Sequence, residues 1–356
     1  MDSQLWHDYC TAQVPQEPPA LTVRQWNGMP DQQRQAHIAE LNRWLANLFV
    51  QTDEVSAIAA TMSNTVQINA YSSPGAKRVP ALTGENFVGK STLMMRWART
   101  RYNEWTAGVD RDARGRPVIY LAGDCEADLC PVVWIDLPAA ALIKDVDGAI
   151  LAFFNLPSDG VKREVSRSAM HAVQRHRTRV VVVDDVHLLK TNWKSGRDVL
   201  DHVKHLNTEL GQIGVTLILV GANLDGGDLM NDPQIAARLK LQRFTPYKID
   251  GSTAEMRTWQ AIVYQLEGQV LPHLPRGKPE MLFTKLAGEL WYRTQGYLGD
   301  LTELVGGATV AAINDGTFKI LLKHLDSVEL SERAEKERRE AQAARRRTKA
   351  VTPQPV

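Results

Sequence analysis

Three stretches of this chain are apolar with no alternation of polar positions: Val132-Val133-Trp134-Ile135, Val180-Val181-Val182-Val183 and Leu217-Ile218-Leu219-Val220. A strand with one wet face alternates, whereas a strand covered on both faces does not. These runs therefore predict buried parallel strands over Pro131–Leu137, Arg179–Asp185 and Val215–Gly221. Arg78-Val79-Pro80-Ala81-Leu82-Thr83 predicts another strand, Val118 to Leu121 a short one, and Phe244 to Ile249 is a candidate for one more. Between them the apolar residues recur at helical spacing. Leu93, Met94, Trp97 and Ala98 form one such set, and Ile150, Leu151, Phe153 and Phe154 mark the end of a second helix. Val161 to His176 and Lys194 to Leu210 complete the series. Strands alternating with helices predict an α/β fold, a parallel sheet sandwiched by helices.

The two ends of the chain read differently. Residues 1 to about 70 are polar and helical, with Ile38, Leu41, Trp44, Leu45 and Leu48 spaced along one helix. Trp6, Trp26 and Trp44 read as residues that dock this arm on the core, or alternatively as a recruitment surface. Tyr71-Ser72-Ser73-Pro74-Gly75 is a turn cluster that marks a boundary. From Ser252 the pattern is wholly helical, with Ser252 and Glu255 as a capping box and later helices over Met281–Tyr292 and Leu301–Ile313. From Ser331 the apolar periodicity is lost, which predicts a frayed or disordered segment. The expected organisation is an N-terminal helical arm (1–70), a core (71–250), a helical lid (251–330) and a basic tail (331–356).

Composition narrows the class. Hydrophobic residues make up 44% and charged residues 23%, ordinary globular values. The formal net charge is +1, so any nucleic-acid contact has to come from local patches. No run of about 18 apolar residues exists and no basic-then-apolar start, so neither a membrane span nor a secretion signal is expected. Cys10, Cys125 and Cys130 cannot all pair, which predicts reduced thiols in a cytoplasm. Cys125 and Cys130 lie in a loop beside Asp124, Glu126 and Asp128, without the close soft-ligand pairs that a metal site needs.

The candidate chemistry sits at Gly84-Glu85-Asn86-Phe87-Val88-Gly89-Lys90-Ser91-Thr92, which spells G-x-x-x-x-G-K-S between a predicted strand and a predicted helix. Gly84 and Gly89 allow backbone N–H groups to turn toward phosphate oxygens. Lys90 is a mobile point charge for the β- and γ-phosphates, and the Ser91 hydroxyl completes a magnesium shell. The following helix aims its positive end at the same anion. The valine run ending in Asp184 and Asp185 supplies the complementary element: Asp184 for magnesium, Asp185 to polarise the attacking water. Beyond the Leu217–Val220 run, Asn223 reads as a γ-phosphate sensor or as a turn residue near Gly226 and Gly227. Arg238 reads as a residue that reaches a neighbouring subunit's nucleotide or as a plain surface arginine, with Arg243 in reserve. His187 reads as a packing histidine or a catalytic one. The expected ligands are ATP and Mg²⁺.

Taken together, Gly84–Ser91, Val180–His187, Leu217–Asn223 and Asp232–Arg238 resemble an AAA+ ATPase. More narrowly they resemble the TniB/TnsC-type ATP-binding proteins of transposons, related to the Mu B class. Val-Asp-Asp-Val-His-Leu-Leu (183–189) is similar to that family's V-D-E-I-H-x-L, and Asp232-Pro233-Gln234-Ile235-Ala236-Ala237-Arg238 to its D-P-Q-L-A-x-R. Gly296-Tyr297-Leu298-Gly299-Asp300-Leu301 and Ala311-Ala312-Ile313-Asn314-Asp315-Gly316 are similar to its ending. The resemblance covers about residues 60 to 325. It implies an ATP-dependent regulator of DNA transposition that oligomerises, as a ring or a filament, on double-stranded DNA. The partners it implies are a DDE transposase and a target-selector protein. The alternatives are a signalling or defence nucleotide switch, a helicase loader, and an ATP-binding scaffold without turnover.

Two positions depart from the pattern. Asp185 stands where hydrolysing members carry Glu, and it is shorter by about 1.5 Å; this predicts slow or partner-stimulated hydrolysis. Asp300 stands where many AAA+ proteins carry Arg. For DNA, Lys162, Arg163 and Arg167 on one helix, Lys190, Lys194 and Arg197 after the acids, and Arg345-Arg346-Arg347-Thr348-Lys349 are the candidate patches. The alternative for the first two patches is a solvated helix face, and for the last a solubilising tail.

Overall fold

The structure is a computed structural model that describes residues 1–121, 125–138, 143–189, 196–226, 228–249 and 252–340. The chain forms two compact units. The first comprises Met1–Ala12, Asp53–Asn86 and Lys90–Phe244; the second comprises Gln13–Thr52, Phe87–Gly89 and Thr245–Val356.

The first unit is built on strands β1 (Val79–Gly84), β2 (Val118–Leu121), β3 (Cys125–Asp128), β4 (Val132–Asp136), β5 (Val180–Asp184), β6 (Thr216–Ala222) and β7 (Leu239–Arg243). Five of them form one parallel sheet in the order β4-β5-β6-β1-β7. Val180, Val181 and Val182 are wholly buried, as are Ile218 and Val220, because helices cover both faces. Those helices are Lys90–Trp105 after β1, Ile143–Phe153 and Lys162–Arg175 between β4 and β5, and Gly196–Gln212 between β5 and β6. In a parallel sheet every strand ends at the same edge. The register sets Gly84 beside Ala222 and Asp136 beside Asp184, so those ends share one rim.

Two elements differ from the sequence reading. The polar segment Cys125–Asp128 is a strand, β3, paired antiparallel with β2. It has one buried side chain, Ala127, and is anchored by Arg116, which bridges Asp112 (2.7 Å) and Asp128 (2.8 Å). Phe244–Ile249 is not a strand. The last strand is Leu239–Arg243, and Phe244 donates its N–H to the Thr83 carbonyl (2.8 Å) as the chain leaves the sheet. β7 pairs only with β1 and is half-exposed, so Leu-Lys-Leu-Gln-Arg lacks the apolar run that betrays an inner strand.

The helix Ser3–Thr11 belongs to this unit. Trp6 is fully buried and stacks on Trp134 of β4 at 5.9 Å. Arg99 and Asn103 donate to the Cys10 carbonyl at 3.1 and 2.9 Å, satisfying the open end of the helix.

The second unit packs Val23–Gly28 and Asp31–Leu45 with Thr253–Val270, Ala287–Thr294, Leu298–Asn314 and Leu322–Asp326. Its core holds Trp26, Leu41, Trp259, Leu266 and Leu304, with Trp44 partly buried against it. The helix expected from Met281 begins only at Ala287. The buried Glu267 carboxylate accepts the N–H groups of Glu280 (2.7 Å), Leu282 (2.6 Å) and Phe283 (3.2 Å) and holds that stretch in turns. Residues 332–340 are helical, with Arg333 paired to Asp300 and Glu337 and lying 3.4 Å over the Tyr297 ring.

Candidate functional site

The rim of the sheet positions the site. β1 delivers Gly84 beside Ala222, and the chain then turns through the glycine loop into the helix that starts at Lys90. Left-handed backbone occurs at Phe87 (φ 66°) and Gly89 (φ 104°), whereas Gly84 closes the strand. Alternating backbone hands of this kind turn successive N–H groups into one concavity, the geometry of an anion nest. Gly89 needs its missing side chain for that angle; Phe87 adopts its own at a cost in strain.

Lys90 is buried, and its Nζ donates to the carbonyls of Gly84 (3.1 Å) and Glu85 (2.6 Å). Burial pushes its ammonium down from the usual lysine range, opposed by Asp184, Asp185 and Glu85. Asp184, at the tip of β5, is 4% exposed. Burial pushes its carboxyl up, opposed by hydrogen bonds from the Ser91 hydroxyl and from the Asp185 N–H (2.8 Å). A desolvated acid joined to a serine hydroxyl, beside a desolvated lysine at a nest, fits a triphosphate with its divalent cation. The cation would satisfy Asp184 and Ser91, and the phosphates would draw Lys90 off the loop carbonyls.

The flanking residues have defined places. Asp185 lies in the left-handed region (φ 54°, ψ 34°) and its side chain is 51% exposed, free to face solvent. Asn223 follows β6, also left-handed (φ 50°) and exposed. The Leu224 N–H beside it donates to the buried Thr83 hydroxyl at 2.8 Å, so the end of β1 holds the Asn223 turn. Arg243, at the end of β7, pairs with Asp225 (3.1 Å) on that same turn. Glu85, Asn86, Ser91 and Thr92 are exposed.

Arg238 is elsewhere. Its carbonyl accepts the Val79 N–H (2.9 Å), which puts it at the start of β7, whereas the loop begins at the end of β1. Five strand steps separate the two, about 16 Å. Its guanidinium is exposed and donates to the Gln234 carbonyl (3.3 Å). The structure thus gathers Lys90, Ser91, Asp184, Asp185, Asn223 and the reserve residue Arg243 at one rim and leaves Arg238 at the other.

Two residues at the rim, Thr83 and Asp136, escape a reading from motifs, and the contact made by His187, itself named from the sequence, was not legible there. Thr83 is hidden in an apolar run, and its hydroxyl matters only through a residue 141 positions away. Asp136 ends β4 beside Asp184 and helps to push that carboxyl up; an acid closing an apolar strand was its available signal. His187 accepts a backbone N–H from β6, which no spacing predicts.

The candidate DNA residues Lys162, Arg163 and Arg167 are exposed on the Lys162–Arg175 helix and line a cavity of about 860 Å³ facing the Gly196–Gln212 helix. Lys190, Lys194, the Arg197 side chain and Arg345–Lys349 lie outside the described residues. All three cysteines are free thiols, Cys10 and Cys130 buried and Cys125 exposed. Among the described residues no helix is long and apolar enough to cross a membrane, and no group of three or more His, Cys, Asp or Glu could hold a metal ion.

Comparison with known proteins bears on this arrangement. The chain is similar to the solved structure of Cdc6p from Pyrobaculum aerophilum, with 16% identity over 89% of this chain and 69% of that one, TM-score 0.43. It is similar to AMPPCP-bound DnaA from Aquifex aeolicus, with 12% identity over 76% and 65%, TM-score 0.43. It is also similar to a Walker-type ATPase of Pyrococcus abyssi, with 14% identity over 86% and 81%, TM-score 0.39. At these TM-scores none of the three bears on function. No curated protein matches the chain. The family described as "Bacterial TniB protein" matches residues 41–249, which hold the whole five-stranded sheet, the glycine loop and both acids. That match spans more than half of the 356 residues, and the chain, a parallel α/β sheet with the glycine loop at its rim, belongs to the TniB family.

Proposed function

We propose that this TniB-family protein is an ATP-dependent regulator of DNA transposition that assembles on double-stranded DNA with MgATP bound and recruits and activates a DDE transposase. The observation that supports it best is the convergence of Lys90, Ser91 and the buried Asp184 at one rim of the sheet. In this reading the loop from Gly84 to Thr92 cradles the phosphates, and Ser91 and Asp184 hold Mg²⁺. Asp185 positions the attacking water, and Asn223 senses the γ-phosphate. ATP supplies the energy of phosphoryl transfer, while the protein supplies position and charge. Hydrolysis is slow, because the Asp185 carboxylate stops about 1.5 Å short of where a glutamate would reach.

Arg238 lies about 16 Å along the strands from its own loop, so its role is across a subunit interface, at a neighbour's nucleotide. DNA uptake is supported by charge. Among the described residues, Lys162, Arg163 and Arg167 form no ion pair, while the facing acids Asp201 and Glu209 are engaged by Lys204 (2.6 Å) and His205 (3.3 Å). Arg163, Arg167, His171 and Arg175 recur every four residues, a row with a rise of about 6 Å per step. A linear row suits the backbone of a duplex, with no base reading. The reading places the protein in the cytoplasm, with its thiols reduced. The domain scheme of arm, core, lid and tail belongs to the same proposal.

Imaging the protein on duplex DNA with a slowly hydrolysed ATP analogue tests it. Rings or filaments that need both DNA and the analogue are expected. Nucleotide-dependent assembly without DNA would favour the switch alternative, and no phosphate release with or without DNA would favour a scaffold.

A further inference from the structure

The last residue of β5, Asp184, is followed by a left-handed residue, Asp185, and a single tight turn over Val186–Leu188. The last residue of β6, Ala222, is followed by another left-handed residue, Asn223. These two left-handed residues carry the exposed groups that face solvent beyond neighbouring strands, at an angle that aspartate and asparagine take more readily than other non-glycine residues. One side chain joins them. The Nδ1 of His187 accepts the Ala222 N–H at 3.3 Å. That N–H lies past the last paired residues of β5 and β6, Val183 and Leu219, so no strand carbonyl of β5 takes it.

The turn lies so close to β6 that a Cβ on Gly221 would meet the His187 backbone nitrogen at 3.2 Å and Leu224 at 2.9 Å. A side chain there would crowd the turn, so glycine lets the two segments approach closely. The same Nδ1 is 3.9 Å from the Asp185 carboxylate, beyond hydrogen-bond reach. Because Nδ1 accepts a hydrogen bond from the backbone N–H, the neutral ring carries its own proton on Nε2. Nδ1 therefore has no proton to give Asp185, and that carboxylate stays available to a water molecule. The ring thus fixes the turn without engaging the acid beside it.

We propose that His187 is a positioning residue: by tying the turn after β5 to the end of β6, it sets where Asp185 and Asn223 stand relative to each other. This rests on the reading that those two groups act on bound ATP. His187 itself takes no part in the chemistry. A group misplaced by about 1 Å loses on the order of a hundredfold in rate while ground-state binding survives.

Three variants separate the possibilities. His187→Phe fills the space with no acceptor, His187→Ala removes both, and His187→Asn returns an oxygen that can accept the Ala222 N–H. Each is measured for kcat and KM of ATP hydrolysis, for ATP and ADP affinity by calorimetry, and for amide exchange at Ala222 and Asn223 without nucleotide. We expect kcat to fall about 10- to 100-fold in the Phe and Ala variants, with KM and both affinities within about twofold. Amide exchange at Ala222 should quicken about tenfold or more in both, and the Asn variant should return both measures most of the way. Unchanged exchange at Ala222, or an Asn variant as impaired as Phe, overturns the proposal. So does a parallel loss of ATP and ADP affinity, which would mark a merely structural histidine. If the unaltered protein releases no phosphate, the hydrolytic reading fails, while the exchange data still decide whether His187 joins the two strand ends.

Discussion

Thr83→Val isolates one hydrogen bond at the rim. The side chain is 2% exposed, and its hydroxyl oxygen accepts the Leu224 N–H at 2.8 Å. Valine has the same shape but leaves that N–H buried without a partner. An orphaned buried N–H costs roughly 1–3 kcal/mol. Exchanging a hydroxyl for a buried methyl returns up to about 0.8 kcal/mol. The net loss is therefore about 0.2–2 kcal/mol. In a domain of this size each kcal/mol moves the melting temperature by roughly 2–4 °C, so a drop of up to about 8 °C is expected by calorimetry or circular dichroism. Thr83→Ser is the matched control: it keeps the acceptor and loses one methyl. Amide exchange locates the effect, with Leu224 and Asn223 losing protection in the valine variant and keeping it in the serine variant. Turnover should fall with it, because Asn223 sits on the loosened turn. A valine variant that melts within 1 °C of the unaltered protein, with Leu224 still protected, would refute the reasoning.

Lys90→Ala should abolish ATP-dependent DNA binding in a filter or fluorescence assay, because the loop keeps its nest and loses its cation; undiminished binding would remove nucleotide control. Asp185→Glu should raise turnover severalfold in a phosphate-release assay if the shorter acid limits the water, and a slower enzyme would mean the left-handed turn is built for aspartate. In the helical unit, the ion pair from Lys323 (2.5 Å), helped by Thr317 and His324, holds the Asp315 carboxyl below the usual range. A depressed native value stabilises above the unfolded value, near pH 4, and that contribution is lost as the pH falls through the native one. Asp315→Asn should therefore lower the melting temperature at pH 7 and converge on the unaltered protein as the pH drops below about 4. A gap independent of pH would dismiss the ion pair as its cause.

The glycine loop, the valine strand and its acids, and the strand–helix alternation were legible in order along the chain. Each is local: an apolar run marks an inner strand whatever its neighbours, and G-x-x-x-x-G-K-S states its own turn and charge. Arg238 could be named as a candidate, but only the parallel pairing of β7 with β1 put it at the opposite rim from the loop. The late start of the Ala287 helix follows from Glu267, a residue 20 positions earlier whose carboxylate takes three N–H groups a helix would otherwise have used or capped. β7 was mistaken for the stretch after it because an edge strand needs no continuous apolar run. The Thr83–Leu224 and His187–Ala222 bonds join residues 141 and 35 positions apart. Partners that distant are set by which strand lies beside which, and strand order is decided only when the helices have closed over both faces of the sheet.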